Sequence, residues 1–275
     1  MRLLLATLVA AAGIAPNAIP LGDGHLTSTP TRGAVMNCQS QRGGGGASGP
    51  TPWIHGSTWD STAKPSVSGS VHWPQASYTA TVSGSTRTVT IGGVPTSFAT
   101  GTFPIAASDP AYTYDRNPNS IRPRTMTFVL PANPKAKTSA SCLPLGPIGV
   151  STVGVAIYDA LDAENRDAVA HEMQDTCGGH PDQSGTYHLH RISPCVVAKT
   201  TGRATLVGYA LDGFGIYVER DAKGALLTDA ALDACHGRTS VVPWNGTRVR
   251  IYHYDATLEY PYTLGCFRGA TGTVH

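Results

Sequence analysis

The chain has 275 residues, 41% of them hydrophobic and only 14% charged, with a formal net charge of +2. Such a composition supports a buried core and rules out a disordered chain, and so small a charge with no dense Lys/Arg patch excludes an electrostatic claim on nucleic acid or anionic membranes. Its 31 glycines and 20 prolines make it rich in turns, so strands and loops should outweigh helix.

The first element is the apolar run LLLATLVAAAGIA at 3–15, after Met1-Arg2. It is too short to span a bilayer and has the length of a signal-peptide core; an N-terminal anchor, the alternative, would want a longer run. Residues 1–18 are therefore assigned to a signal peptide cleaved between Gly13 and Ala18, with a secreted or periplasmic mature chain that carries no membrane segment. Residues 19–65, with GGGG at 43–46 and SGPTP at 48–52, read as an irregular Gly/Pro-rich surface segment. From 66 to 275 the text is that of one β-rich domain. YTATV and TRTVTI around SGS at 83–85 predict a hairpin, and strands are predicted at 125–131, 149–158, 206–219 and 247–254, where apolar and hydroxyl side chains alternate or apolar runs are short. Short helices are predicted within 162–177 and 227–235. No tandem repeat and no linker is read. The expected fold is mainly β with short helices, a disulfide-stapled, sandwich-like single β-rich domain whose strand order the sequence leaves open.

Six cysteines, Cys38, Cys142, Cys177, Cys195, Cys235 and Cys266, in an exported chain point to three disulfides, although about fifteen pairings are open. Cys177 and Cys195 bracket GTYHLHR at 185–191, and Cys235 and Cys266 bracket IYHYDAT at 251–257; if each pair closes on itself, both segments are stapled. The competing use, zinc–thiolate ligation, lacks any Cys-x-x-Cys spacing.

Those two segments hold the candidate chemistry. In an extended strand alternate side chains share a face, so His188 and His190 point one way and Tyr187 and Leu189 the other; His253 and Asp255 are likewise opposed to Tyr252 and Tyr254. Two strands laid side by side would bring three imidazoles and a carboxylate together, a donor set that suits zinc, copper or non-haem iron. His180, in GGHPD, is the next candidate ligand, with His171 behind it. Asp255, Glu172 and Glu259 are candidates for fourth ligand or general base. The competing expectation is a set of histidines hydrogen-bonded in the core.

GGHPDQSGTYHLH, LVGYALDGFGIY and YHYDATLEYPYTLGCFRG, in this order, resemble the YHYH family, and GTFP at 101–104 and AYTYDRNPNSI at 111–121 extend the resemblance forward. Two positions depart from its pattern: Leu189 where a tyrosine is usual, and Asp255 where a histidine is usual. The resemblance implies an exported bacterial protein whose β-rich YHYH domain spans 66–275, and it implies no shared reaction. Two functions follow as expectations. One is an exported protein binding a transition metal, copper or zinc, through His188, His190, His253, Asp255 and His180, with substrate unknown. The other is a non-catalytic binding or structural module.

Overall fold

A computed structural model describes residues 14–39 and 47–275. Most of the predicted signal peptide and the GGGG run lie outside the described residues. The fold is mainly β. Five two-residue strands come first: β1 Ile19–Pro20, β2 Leu26–Thr27, β3 Val35–Met36, β4 Ile54–His55 and β5 Thr58–Trp59. They carry no periodic pattern, yet Ile19, Val35, Trp53 and Trp59 are all but fully buried and belong to the main core. The N-terminal segment is therefore irregular in backbone but not surface chain. Trp53 Nε1 donates to Ala170 O, and Lys64 Nζ donates to the carbonyls of Val169 and Glu172. These bonds tie the segment to α1 and add to the two-residue pairings among its own strands.

The predicted hairpin is present as β6 Tyr78–Ser83 and β7 Thr86–Ile91, joined across Gly84 and extended by β8 Met126–Pro131 and β17 Thr273–Val274. In β7 and β8 every second residue is buried, and Val89, Ile91, Met126, Phe128 and Leu130 enter the same core as the larger sheet. Arg87, itself buried, stacks on Tyr209 and Trp244 of that sheet. The predicted short helices are α1 Ala168–His171 and, in place of the second, a 3-10 turn at Asp229–Ala231; α2 Pro194–Val197 was not foreseen. Among the described residues no helix is long and apolar enough to cross a membrane.

The site rests on an eight-stranded mixed sheet. Its strands are β9 Pro147–Ser151, β10 Ala156–Tyr158, β11 Gly179–Pro181, β12 Tyr187–Leu189, β13 Ala204–Ala210, β14 Gly215–Glu219, β15 Gly237–Trp244 and β16 Thr247–Asp255. They lie in the order β11-β12-β10-β9-β13-β14-β16-β15. This order reads the same from both edges, and the registers show why. At the centre β9 and β13 pair antiparallel with Val150 opposite Tyr209. Ala156 then faces Val150 as Gly215 faces Tyr209, and Ile157 faces Gly149 as Ile216 faces Gly208. Outward, β12 runs parallel to β10 with Leu189 beside Ile157, as β16 runs parallel to β14 with Tyr254 beside Ile216. At the rims Gly179 pairs with Leu189 as Gly237 pairs with Tyr254.

The connections repeat as well. Asp162 Oδ1 caps the amides of Glu164 and Arg166, and Asp221 Oδ1 those of Lys223 and Ala225. Asp175 Oδ1 accepts from the amides of Cys177 and Gly179, and Asp233 Oδ1 from those of Cys235 and Gly237. The disulfides Cys177–Cys195 and Cys235–Cys266 then close each unit on itself, while Cys38–Cys142 ties the N-terminal segment to the sheet's approach. The expectation of no repeat is therefore overturned: two units, beginning at β9 and β13, are related by a pseudo-two-fold through the Val150–Tyr209 pair. The duplication is hidden in the sequence because the second unit's rim hairpin, β15–β16, is far longer than β11–β12, which shifts its histidine strand away from any constant spacing.

Candidate metal centre

Each histidine strand is positioned by its unit. Tyr187 leaves β12 on the face away from the histidines, crosses Gly179 and donates to Asp175 Oδ2 at 2.8 Å. Tyr252 crosses Gly237 in the same way and donates to Asp233 Oδ1 at 3.1 Å. A Cβ on either glycine would overlap the tyrosine ring, so these two positions require glycine. With the tyrosines locked on one face, His188 and His190 are fixed on the other, as strand alternation predicts.

The two histidine strands do not meet. β12 and β16 are five strand steps apart in the sheet, about 24 Å at the usual inter-strand spacing. Both edges of each are already filled by the neighbours of its own unit, so the expected single sphere of His188, His190, His253 and Asp255 is replaced by two separate groups: His180, His188 and His190 in the first unit, and Glu219, His253 and Asp255 in the second.

In the first group, register places His180 of β11 directly opposite His188. Glu172 arrives from the C-terminal end of α1, whose first turn is capped by Asp167. Its Oε2 lies 3.3 Å from His180 Nε2 and 3.2 Å from His190 Nε2. His188 Nε2 is 3.1 Å from His190 Nε2. The far side of each ring is held by the backbone: His188 Nδ1 donates to Thr186 O at 3.0 Å, and His190 Nδ1 donates to Asp159 O. Because a carbonyl only accepts, both Nδ1 atoms carry the hydrogen, and in the neutral rings both Nε2 lone pairs converge. Tyr158 stacks on His188 with ring centroids 4.0 Å apart and donates to Asp182.

Burial, with His190 beside it, pushes His188 down to about 3, and burial with the neighbouring imidazoles holds His180 well below the usual histidine range. Burial opposes protonation of His190 too, but the Glu172 carboxylate outweighs it and holds His190 above its ordinary value. Burial raises Glu172. The group thus holds two neutral imidazoles, His180 and His188, in the metal-ligating form, with His190 drawn toward protonation by the Glu172 carboxylate. It forms the floor of a cleft of about 940 Å³, whose walls include Tyr114, Arg116, Asn117, Tyr158 and Asp182.

Among the other candidates, His171 Nε2 pairs with Asp23 at 2.8 Å, and Glu259 accepts from the Asp229 amide; neither joins a ligand group. Glu219 was missed. Its only sequence signal is an acidic side chain ending the apolar strand GIYVE. In that second group burial raises the Asp255 carboxyl well above the carboxylate range, and the Glu219 charge adds to the effect.

Residues 127–227 match the family described as YHYH protein, a span that holds Glu172, His180, His188 and His190 and ends before His253. No curated protein and no solved structure matches the chain. Over this span, which includes the first histidine strand, the chain is similar to the YHYH protein family.

Proposed function

We propose that the protein is an exported metal-binding protein that holds one transition-metal ion, copper or zinc, through Nε2 of His180, His188 and His190 and the carboxylate of Glu172. The observation that carries this reading is the 3.1 Å approach of His188 Nε2 to His190 Nε2 while both Nδ1 atoms donate to carbonyls. Two neutral imidazoles so arranged would set lone pair against lone pair in a buried place, which a cation between them relieves. Ligand atoms about 2.1 Å from one tetrahedral ion lie about 3.4 Å apart, and the separations to Glu172 Oε2, 3.3 and 3.2 Å, are close to that value. Three imidazoles and a carboxylate suit zinc or copper(II). The cleft leaves one side of the group approachable. Three disulfides favour an oxidising compartment, in keeping with export.

A second reading puts a proton in place of the ion. It is favoured by the short contact of Glu172 with His190 and by the raised protonation of that ring; the histidines are then a hydrogen-bonded core and the module is non-catalytic. Elemental analysis of protein purified without chelator separates the two. Metal binding predicts that the double variant His188→Ala/His190→Ala carries about one equivalent less copper or zinc than the parent. Equal metal content in a folded double variant would leave the proton reading.

A further inference from the structure

We propose that the second unit carries its own divalent-metal site, formed by Glu219, His253 and Asp255, independent of the first group and suited to a harder ion such as zinc or manganese(II). The pseudo-two-fold carries His188 onto His253 and His190 onto Asp255, and it carries their preparation too. His253 Nδ1 donates to Ile251 O at 3.0 Å, as His188 does to Thr186, so the Nε2 lone pair faces the carboxylates. That atom lies 3.6 Å from Glu219 Oε1 and 3.7 Å from Asp255 Oδ2. Neither distance is a hydrogen bond. Both are close to the separation of about 3.4 Å expected for two atoms bound to one ion.

Burial gives the second, independent observation. The side chains of His253 and Asp255 are 0% exposed and that of Glu219 is 9%. His253 Nε2 and both oxygens of Asp255 are buried with no hydrogen-bond partner among the described residues, which is the costliest way to keep a carboxylate in a protein interior. A proton on Asp255 would make no hydrogen bond to His253 Nε2, which is 3.7 Å away. Ser240 Oγ donates to Glu219 Oε1 at 3.0 Å and orients it, as an outer-sphere partner does for a ligating carboxylate.

One imidazole and two carboxylates select against copper(I) and for harder divalent ions. Arg238 stands where the first unit has His180, opposite His253 in the register, with its Nε 3.7 Å from Glu219 Oε2. Its guanidinium offsets part of the carboxylate charge, so the second site binds more weakly than the first. None of its three ligands lines the cleft; the ion is enclosed and holds β14 to β16.

The test is a zinc stoichiometry on the full chain after chelator treatment and reloading. About two equivalents are expected for the parent, and about one for either His188→Ala/His190→Ala or Asp255→Asn/Glu219→Gln. A double variant at the first site that binds no zinc, or an Asp255→Asn/Glu219→Gln chain that binds as much as the parent, overturns the second site. Retention by the first-site variant with loss from Asp255→Asn/Glu219→Gln would keep the second site and reject the first. Cadmium-113 NMR on the unmutated chain needs no variant to fold: two resonances, one shifted toward oxygen-rich coordination, support the proposal, and a single nitrogen-rich resonance rejects it.

Discussion

The two units of the eight-stranded sheet share a backbone plan and differ in what closes over their ligands. In the first, β11 and β12 are short, α1 delivers Glu172, and the imidazoles open onto a cleft. In the second, the hairpin β15–β16 runs on to the two-residue turn Asn245-Gly246, both with positive φ, and the counterpart of α1 is the 3-10 turn at Asp229–Ala231. Asp229 is engaged by His236 at 2.7 Å and reaches no ligand group. One scaffold thus makes an approachable imidazole-rich group and an enclosed carboxylate-rich one. Most of the ligands sit on strands in both units, and the connections decide whether they are reached from a cleft.

That comparison breaks most visibly at the aspartate that organises each unit. Asp175 is almost fully buried and accepts from the amides of Gly101, Cys177 and Gly179 and from the Tyr187 hydroxyl. Asp175→Ala strands four buried donors and should cost about 4 kcal/mol, read by denaturant unfolding. Asp233 has only the amides of Cys235 and Gly237 and Tyr252 OH, and is itself half-buried. Water can replace it, so Asp233→Ala should cost roughly half as much. Equal losses would show that the first unit's extra bond to Gly101 contributes nothing.

The tyrosines sharpen the same contrast on a smaller scale. Tyr187→Phe removes a hydroxyl from a fully buried carboxylate and should cost about 2 kcal/mol, against about 1 kcal/mol for Tyr252→Phe, whose partner reaches solvent. Because both rings keep their packing across Gly179 and Gly237, His188 and His253 should stay in place, and metal content should not change. A loss of metal from Tyr187→Phe would mean that the hydroxyl, and not the ring, sets the strand.

Much of this was legible in the sequence. The β6–β7 hairpin was marked by its alternation around Ser83-Gly84-Ser85, and the bracketing cysteines pair as their positions suggest. His188, His190 and His180 share a group, and Glu172 was a candidate carboxylate. What failed was long-range. Alternation places His188 and His190 on a common face but says nothing about which strand lies alongside, and each histidine strand is claimed on one edge by its rim strand and on the other by the parallel strand β10 or β14 of its own unit. That the N-terminal segment enters the core through Ile19, Val35, Trp53 and Trp59 was hidden because two-residue strands leave no period to read. The duplication escaped because its shared aspartates, Asp162 with Asp221 and Asp175 with Asp233, are isolated letters, the longer β15–β16 hairpin breaks the spacing, and the left-handed turn residues differ between the units.

That last point yields the smallest and cleanest test. In the loop after β10 the left-handed residue is Asn165, at φ 62°; in the equivalent loop after β14 it is Gly224, at φ 86°. Both loops are closed by the same bonds, Asp162 N to Arg166 O and Asp221 N to Ala225 O. A Cβ at Gly224 would meet nothing within 4 Å, so any cost of substitution there is backbone conformation alone. Gly224→Ala should lose about 1 kcal/mol, the penalty of an ordinary side chain in that region. Gly224→Asn should lose only a few tenths of a kcal/mol, since asparagine tolerates left-handed φ and already occupies the position in the first unit. Thermal unfolding of the two variants side by side reads the difference. If alanine and asparagine cost the same, the second loop does not hold the conformation of the first, and the correspondence between the units stops at the strands.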